Sequence, residues 1–304
     1  MKTKTIAFIL TAIMLITIAA CGDTAEKPDV SKDREGNPIT IPDKIDKIIS
    51  IGTSNTEILA ELGLGDKIIA VDVYSSDIPG LKSDIQLLPS ITEIDNEFVI
   101  DLQPDVICVT GMSKVGGANP LQTVEDTGVC VIVIPSSASI GAIKEDIKFM
   151  AAVMGVESKG SRIIKDFEKE IDAIKKTGDT ITDKKTVYFE ISPAPWMYSF
   201  GSGTFLNEMI ELIGAVNIFA AHDSWMSVAE EAVLDADPDV ILTSTGWMDD
   251  AAGEIKERPG WEAITAVQND AVYYIDADSS NRPSHHIIKA LKEMAKAVYP
   301  GEYE

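Results

Sequence analysis

The side chains best suited to metal binding or nucleophilic attack are few. The chain has three histidines, His222, His285 and His286, and three cysteines, Cys21, Cys108 and Cys130. Cys108 and Cys130 lie in the apolar runs DVICV at 105–109 and GVCVIVI at 128–134, where a thiol packs as a small apolar group. No CxxC pair is present, so a cysteine zinc or iron–sulfur site is not expected. A free zinc or manganese site usually gathers three imidazoles and a carboxylate from separate loops, and three histidines with two adjacent do not supply that set; no metal site is expected. His285 and His286 open the last helical stretch. Either could ligate a metal or face an anion, and the plainer reading is solvated residues at a helix start. Enzyme signatures are missing as well: no G-x-S-x-G elbow, no H-E-x-x-H and no P-loop. Gly201-Ser-Gly203 opens a helix after a strand, but Leu206 stands where a dinucleotide fingerprint needs glycine. A surface hydrolase is the enzyme class left, and nothing favours it.

What the sequence does concentrate is aromatic surface in loops. Tyr74 follows the apolar run 68–73 in VDVYSSDIP, and Trp196 and Tyr198 lie in SPAPWMYSFGSG after the run 186–191. Trp225 sits in HDSWMSV, and Trp247 follows the run 240–243 in STGWMDD. The fourth tryptophan, Trp261 in RPGWEAI, reads as core packing. Such a set suits a large planar ligand, since each aromatic contact adds ~0.5–1.5 kcal/mol beyond area burial. The alternative is that these rings pack under their own loops.

Those loops need a scaffold, and the scaffold is written twice. Residues 97–110 read EFVIDLQPDVICVT and residues 231–244 read EAVLDADPDVILTS. Glu97 matches Glu231, Asp101 matches Asp235, and Pro104-Asp105-Val106-Ile107 matches Pro238-Asp239-Val240-Ile241. In each copy a short helix stops near a proline and an apolar strand follows. Upstream, a strand at 47–51 precedes a helix at 55–62, and a strand at 186–191 precedes a helix at 204–213. Strands that alternate with helices imply mainly parallel sheets, and two such blocks make two α/β lobes. Between them, 140–154 and 157–176 have helical periodicity, the second carrying Ile163, Ile164, Phe167, Ile171 and Ile174 as a stripe. A long helical crossing is a stiff connection. A coiled-coil or oligomer helix is the alternative, but one stripe is short for it.

The N-terminus sets the compartment. Lys2 and Lys4 precede an apolar run at 6–18 interrupted by Thr11 and Thr17. It is shorter than the ~20 residues of a membrane-spanning helix, so it reads as an export signal. Ile18-Ala19-Ala20-Cys21 resembles a lipobox, with Ile18 in place of the commoner Leu. Residues 1–20 are then a signal peptide, and Cys21 is the lipidated residue; an ordinary signal peptide with an incidental cysteine is the alternative. Residues 21–40 are expected to be a flexible tether behind the lipid, because their polar composition does not repay ordering. Loss of Lys2 and Lys4 takes the formal net charge from −23 to about −25. So acidic a chain repels phosphate backbones and anionic lipid, which excludes nucleic acid as a partner and leaves membrane attachment to the anchor.

These features together carry a family resemblance over residues 41–300. It rests on IISIGTSNTEI at 48–58, LQPDVI at 102–107, GTFLNEMI at 203–210, RPGW at 258–261 and RPSHHI at 282–287, in that order and behind the lipobox. The chain resembles the helical-backbone binding proteins of ABC importers, those for vitamin B12, ferric siderophores and haem. The resemblance implies the class III periplasmic-binding-protein fold: two Rossmann-like lobes at 41–139 and 179–304, joined by rigid backbone helices at 140–178. It implies a monomer on the outer face of the cell membrane, handing a metal chelate to a dimeric permease with its ATPase. A corrinoid is favoured, with a ferric siderophore or haem as alternatives, and no covalent cofactor beyond the lipid. Glu97 and Glu231 fall where each lobe would offer a carboxylate to an arginine pocket of one permease subunit; they are otherwise solvated glutamates at helix starts. Tyr74 and Trp225 match places where B12-binding members carry aromatics, and Asp278 and Arg282 match positions of polar contacts; capping of its own loop is the alternative for Arg282. With Trp196, Trp247 and His285 these complete the expected ligand set. A sensor of the same fold, without transport, is a further alternative.

Overall fold

Two parallel sheets account for the apolar runs read as strands. The computed structural model describes residues 30–114 and 119–303. The first lobe contains β1 (Ile48–Ser50), α1 (Thr53–Glu61), β2 (Ile68–Asp72), β3 (Gln86–Leu88), α2 (Asn96–Leu102), β4 (Val106–Thr110), α3 (Gln122–Glu125) and β5 (Cys130–Ile134). Its sheet runs β3-β2-β1-β4-β5, every neighbouring pair parallel. All five residues of β4 and of β5 are buried. That is the signature of a sheet covered on both faces, and it explains why these strands read as unbroken apolar runs. Cys108 and Cys130 are free and buried, and burial raises both thiols, Cys130 to about 11.

Two helices follow, α4 (Ile140–Val153) and α5 (Glu157–Gly178). Ser139 caps α4 by accepting from Ala142 N, and Lys175 and Lys176 in the last turn of α5 suit its carbonyl end. The buried face of α5 is Gly160, Ile163, Phe167, Ile171, Ile174 and Gly178. Gly160 is there for close approach: a Cβ on it would lie 2.5 Å from the Ala151 Cβ of α4. The apolar side chains of that face share one core with Ile58 of α1, with Leu62 just after it, and with residues of the second lobe. The connection is therefore packed against both lobes along its length.

The second lobe contains β6 (Thr186–Glu190), β7 (Tyr198–Phe200), α6 (Phe205–Leu212), β8 (Val216–Asn217), β9 (Trp225–Ser227), α7 (Glu230–Ala236), β10 (Val240–Thr243), α8 (Ala251–Lys256), α9 (Thr265–Gln268), β11 (Val272–Tyr274), α10 (Ala277–Asn281) and α11 (Ile287–Val298). Its sheet runs β11-β10-β6-β8, again all parallel, and β7 pairs antiparallel with β9 as a separate ribbon. The ribbon is a departure from the expectation that Tyr198 and Trp225 lie in loops: Tyr198 pairs with Ser227, and Phe200 with Trp225.

The sequence duplication is a structural one. Both α2 and α7 end on a left-handed residue, Gln103 (φ 52°) and Asp237 (φ 41°), before the proline. The aspartate after each proline then clips the neighbouring strand. Asp105 accepts from Asp46 N at 2.7 Å and Lys47 N at 2.9 Å, ahead of β1. Asp239 accepts from Thr186 N and Thr186 Oγ1, both at 2.8 Å, at the start of β6. The Pro-Asp pair thus sets strand register in each lobe.

The tether expected over 21–40 is corrected where it is described. Lys32 bridges to Pro38, and the buried Asp33 accepts from Asn37 N at 2.8 Å and from Val133 N of β5 at 3.0 Å. Arg34 Nε donates to Asp146 of α4 at 2.7 Å. One carboxylate gathering backbone amides orders a polar segment that has no apolar period. The expected signal peptide and Cys21 lie outside the described residues. Among those residues no helix is long and apolar enough to cross a membrane.

Candidate functional site

Half of the exposed large apolar side chains lie in segments that directly follow parallel strands. Val73 and Tyr74 follow β2, and Met112 follows β4. Trp196 follows β6, Tyr198 and Trp225 open the two ribbon strands, Trp247 follows β10, and Tyr274 ends β11. Leu87 and Val216, in the outermost strands β3 and β8, are the remaining members of the exposed set among the described residues. Trp196, Trp247 and Tyr74 are 81%, 70% and 64% exposed, which rules out the reading that they pack under their own loops. Trp225 is 37% exposed and stands edge-on to Phe200 and Phe205, with centroids 5.8 and 6.1 Å away, so its position is held from below. Carboxyl-end loops of parallel strands are where α/β folds bind ligands.

Each lobe supports its loops with a buried acid at a strand end. Asp72, the last residue of β2, accepts from Gly52 N at 2.8 Å, Tyr74 N at 3.0 Å and Ser75 Oγ at 2.7 Å, which pins the turn carrying Tyr74. Glu190, the last residue of β6, is gripped by Arg258 through two bonds of 2.7 and 2.8 Å. Burial raises the Glu190 carboxyl above its ordinary range, against the pull of Arg258. Arg258 lies 4.6 Å above the ring of Trp261, which is fully buried as expected and donates to Glu230 Oε1 at 2.5 Å. The RPGW motif is therefore a support for the loop that carries Trp196.

The polar candidates meet at the junction of the lobes. Arg282 donates from Nη1 to Glu57 Oε1 of α1 at 3.2 Å and pairs through Nη2 with Asp278 Oδ1 at 2.6 Å. Ser284 Oγ donates to the other Glu57 oxygen at 2.5 Å. Arg282, expected to face ligand or to cap its loop, pairs with two carboxylates, one of them in the opposite lobe. Asp278 stays exposed, at the start of α10, beside the Trp247 loop: a Cβ on Gly246 would come 2.9 Å from Ala277 Cβ. His285 is only 13% exposed, and burial with the neighbouring His286 lowers its imidazole to about 3. The reading of His285 as a solvated residue at a helix start is therefore not met. Glu97 and Glu231 are both exposed in the first turns of the duplicated helices, with Asp95 capping α2 through Glu97 N and Phe98 N.

Sequence reasoning missed Met112, Val73 and Tyr274 as members of the exposed set, and Glu57 as a partner. Met112 carried a usable signal, an apolar side chain directly after the Thr110-Gly111 end of a buried strand. Glu57 carried none, because its partner lies in the other half of the chain.

Residues 48–279 match the family model described as periplasmic binding protein. The chain is 30% identical to YvrC of Bacillus subtilis, an uncharacterized ABC transporter substrate-binding lipoprotein, over 98% of this chain and 97% of that protein. It is 27% identical to the vitamin B12-binding protein of Vibrio parahaemolyticus, over 83% of this chain and 89% of that one. Among solved structures, a possible iron-binding periplasmic solute-binding protein of Staphylococcus epidermidis superposes with a TM-score of 0.75 at 28% identity, over 84% and 99% of the two chains.

Proposed function

The chain belongs to the periplasmic binding protein family, and from that premise we propose that it is the substrate-binding component of an ABC importer whose cargo is a planar metal chelate, a corrinoid first. Members of the family are substrate-binding transport proteins, not enzymes. The observation that supports a flat cargo is the set of exposed aromatic side chains in both lobes, with Tyr74 in the first and Trp196 and Trp247 in strand-end loops and Trp225 on the ribbon of the second. Such faces bind rings at small cost in side-chain entropy. The vitamin B12-binding relative puts the corrinoid ahead, and Asp278 offers it a polar contact beside the Trp247 loop. A ferric chelate is the second reading, favoured by the likeness to the possible iron-binding protein of Staphylococcus epidermidis.

Glu97 and Glu231 are the proposed docking carboxylates, each meeting an arginine of one permease subunit in a directional, bidentate pair. A lipid on Cys21 holds the protein, a monomer, at the extracytoplasmic face of the membrane. The test is tryptophan fluorescence of the untagged mature chain, titrated with cobalamin, haem and several ferric siderophores. Cobalamin is expected to quench at sub-micromolar concentration, and Trp225→Ala to weaken that binding about tenfold, the ~1.4 kcal/mol of one stacked contact. Response to a ferric chelate alone moves the assignment to the second reading, and silence with all of them refutes a planar cargo.

A further inference from the structure

A second cluster of donor atoms stands at the lobe junction. Glu61, the last residue of α1, brings Oε2 to 3.8 Å from His285 Nε2. His286 packs against His285 with ring centroids 4.1 Å apart and 70° between the planes. One donor atom each from Glu61, His285 and His286 lie within 4.8 Å of one another. His285 is the anomaly. Both of its ring nitrogens are buried and neither has a hydrogen-bond partner. A buried imidazole kept for packing ordinarily satisfies at least one nitrogen, because an unmet polar atom costs free energy. Water is the usual remedy; so is a cation.

We propose that Glu61, His285 and His286 hold a divalent first-row transition cation that bridges the two lobes. Two imidazole nitrogens and one carboxylate oxygen are a donor set that zinc and its neighbours accept, with further positions left for water. Calcium and magnesium, which want oxygen throughout, are disfavoured by the same set. Metal–donor bonds of about 2.0–2.2 Å place tetrahedral donors roughly 3.3–3.5 Å apart. The cluster therefore needs a contraction of about an ångström, and the exposed carboxylate of Glu61 and the exposed ring of His286 can supply it by rotamer changes. The same exposure gives the ion a way in. The count of histidines argued against a metal because it sought three imidazoles in one neighbourhood; here the third donor is a glutamate from the opposite lobe. The ion would sit next to the Arg282–Glu57 pair and add a second tie between α1 and the turn entering α11. It holds whichever cargo is carried.

The test uses the untagged mature chain, stripped with chelator and titrated with Zn²⁺ in a calorimeter, with thermal unfolding measured in parallel. One Zn²⁺ per chain is expected, with a rise in Tm on binding. Glu61→Gln and His286→Gln are each expected to weaken binding at least tenfold and to abolish the Tm rise. Both residues are exposed, so both variants keep the metal-free Tm and circular dichroism of the parent; His285→Ala, at a buried position, serves only as a third check. Binding of one equivalent that neither substitution weakens overturns the proposal, and so does weak multi-site binding, as a mature chain of net charge about −25 would show through its surface carboxylates alone.

Discussion

Replacing Arg282 with alanine separates a brace from a ligand hand. Glu57 is 4% exposed, and its two oxygens accept from Arg282 Nη1 and Ser284 Oγ. The substitution leaves a buried carboxylate with the Ser284 hydroxyl and the His286 ring, whose Nδ1 stands 3.9 Å from Oε1. Breaking a buried pair from one side costs ~3–5 kcal/mol. Two features lower that figure here: the 3.2 Å bond is a single one, and Arg282 also serves Asp278, which is exposed and loses little. About 2–3 kcal/mol is the expected loss, or a fall in Tm of about 4–12 °C for a chain of this size. Removing both charges with Glu57→Gln and Arg282→Met is expected to cost less than Arg282→Ala alone, because no charge is then stranded. Urea unfolding in the presence of chelator, followed by circular dichroism, measures all the variants of the cycle, including Glu57→Gln and Arg282→Met singly. A coupling below about 0.5 kcal/mol, or Arg282→Ala with unchanged stability and ruined cobalamin affinity, would return Arg282 to the ligand site and refute the brace.

Gly160→Ala is expected to cost ~1–3 kcal/mol by overpacking, since the new methyl would meet the Ala151 Cβ at 2.5 Å; a Tm within a degree of the parent would show that α4 and α5 separate easily. The pair Glu97→Ala with Glu231→Ala is expected to leave fold and ligand affinity intact while uptake through the reconstituted importer collapses, and unchanged uptake would remove these residues from the docking surface.

Legibility in the sequence followed the range of the interactions. The sheets could be read because β4, β5 and β10 are buried throughout and so appear as continuous apolar runs. The duplication could be read because Pro-Asp performs the same local task in both lobes, a strand clip through Asp105 and Asp239. The exposed Trp196 and Trp247 could be read because a large ring beside proline, glycine and acid residues is out of place in a loop. The β7–β9 ribbon escaped, because three-residue strands far apart in the chain leave no period. The docking of residues 30–40 escaped for a related reason: Asp33 does it with one side chain, and composition over a window averages that away. The pairing of Arg282 with Glu57, and of Glu61 with the two histidines, joins opposite halves of the chain, so no local pattern announces it.

The stiffness of α5 bears on how cargo must be held. Ile163, Phe167, Ile171 and Ile174 are all buried along one face, and at ~1.5–3 kcal/mol each their burial stabilises the joint by about 6–12 kcal/mol. A wide hinge motion would expose part of that face and break the Arg282–Glu57 contact as well, so thermal energy does not open and close the lobes freely. Affinity then cannot be generated by a large closure around the ligand. It has to come from surfaces already in place, and among the proposed ligand contacts that condition is met by Trp225 seated on Phe200 and Phe205 and by Tyr74 on a turn pinned by Asp72. Release poses the converse problem, because a site that is preformed does not let go by itself. On the proposed docking, one carboxylate per lobe gives the permease two separate handles. Force applied between Glu97 and Glu231 strains the same α5 core that keeps the unaided protein closed to such motion.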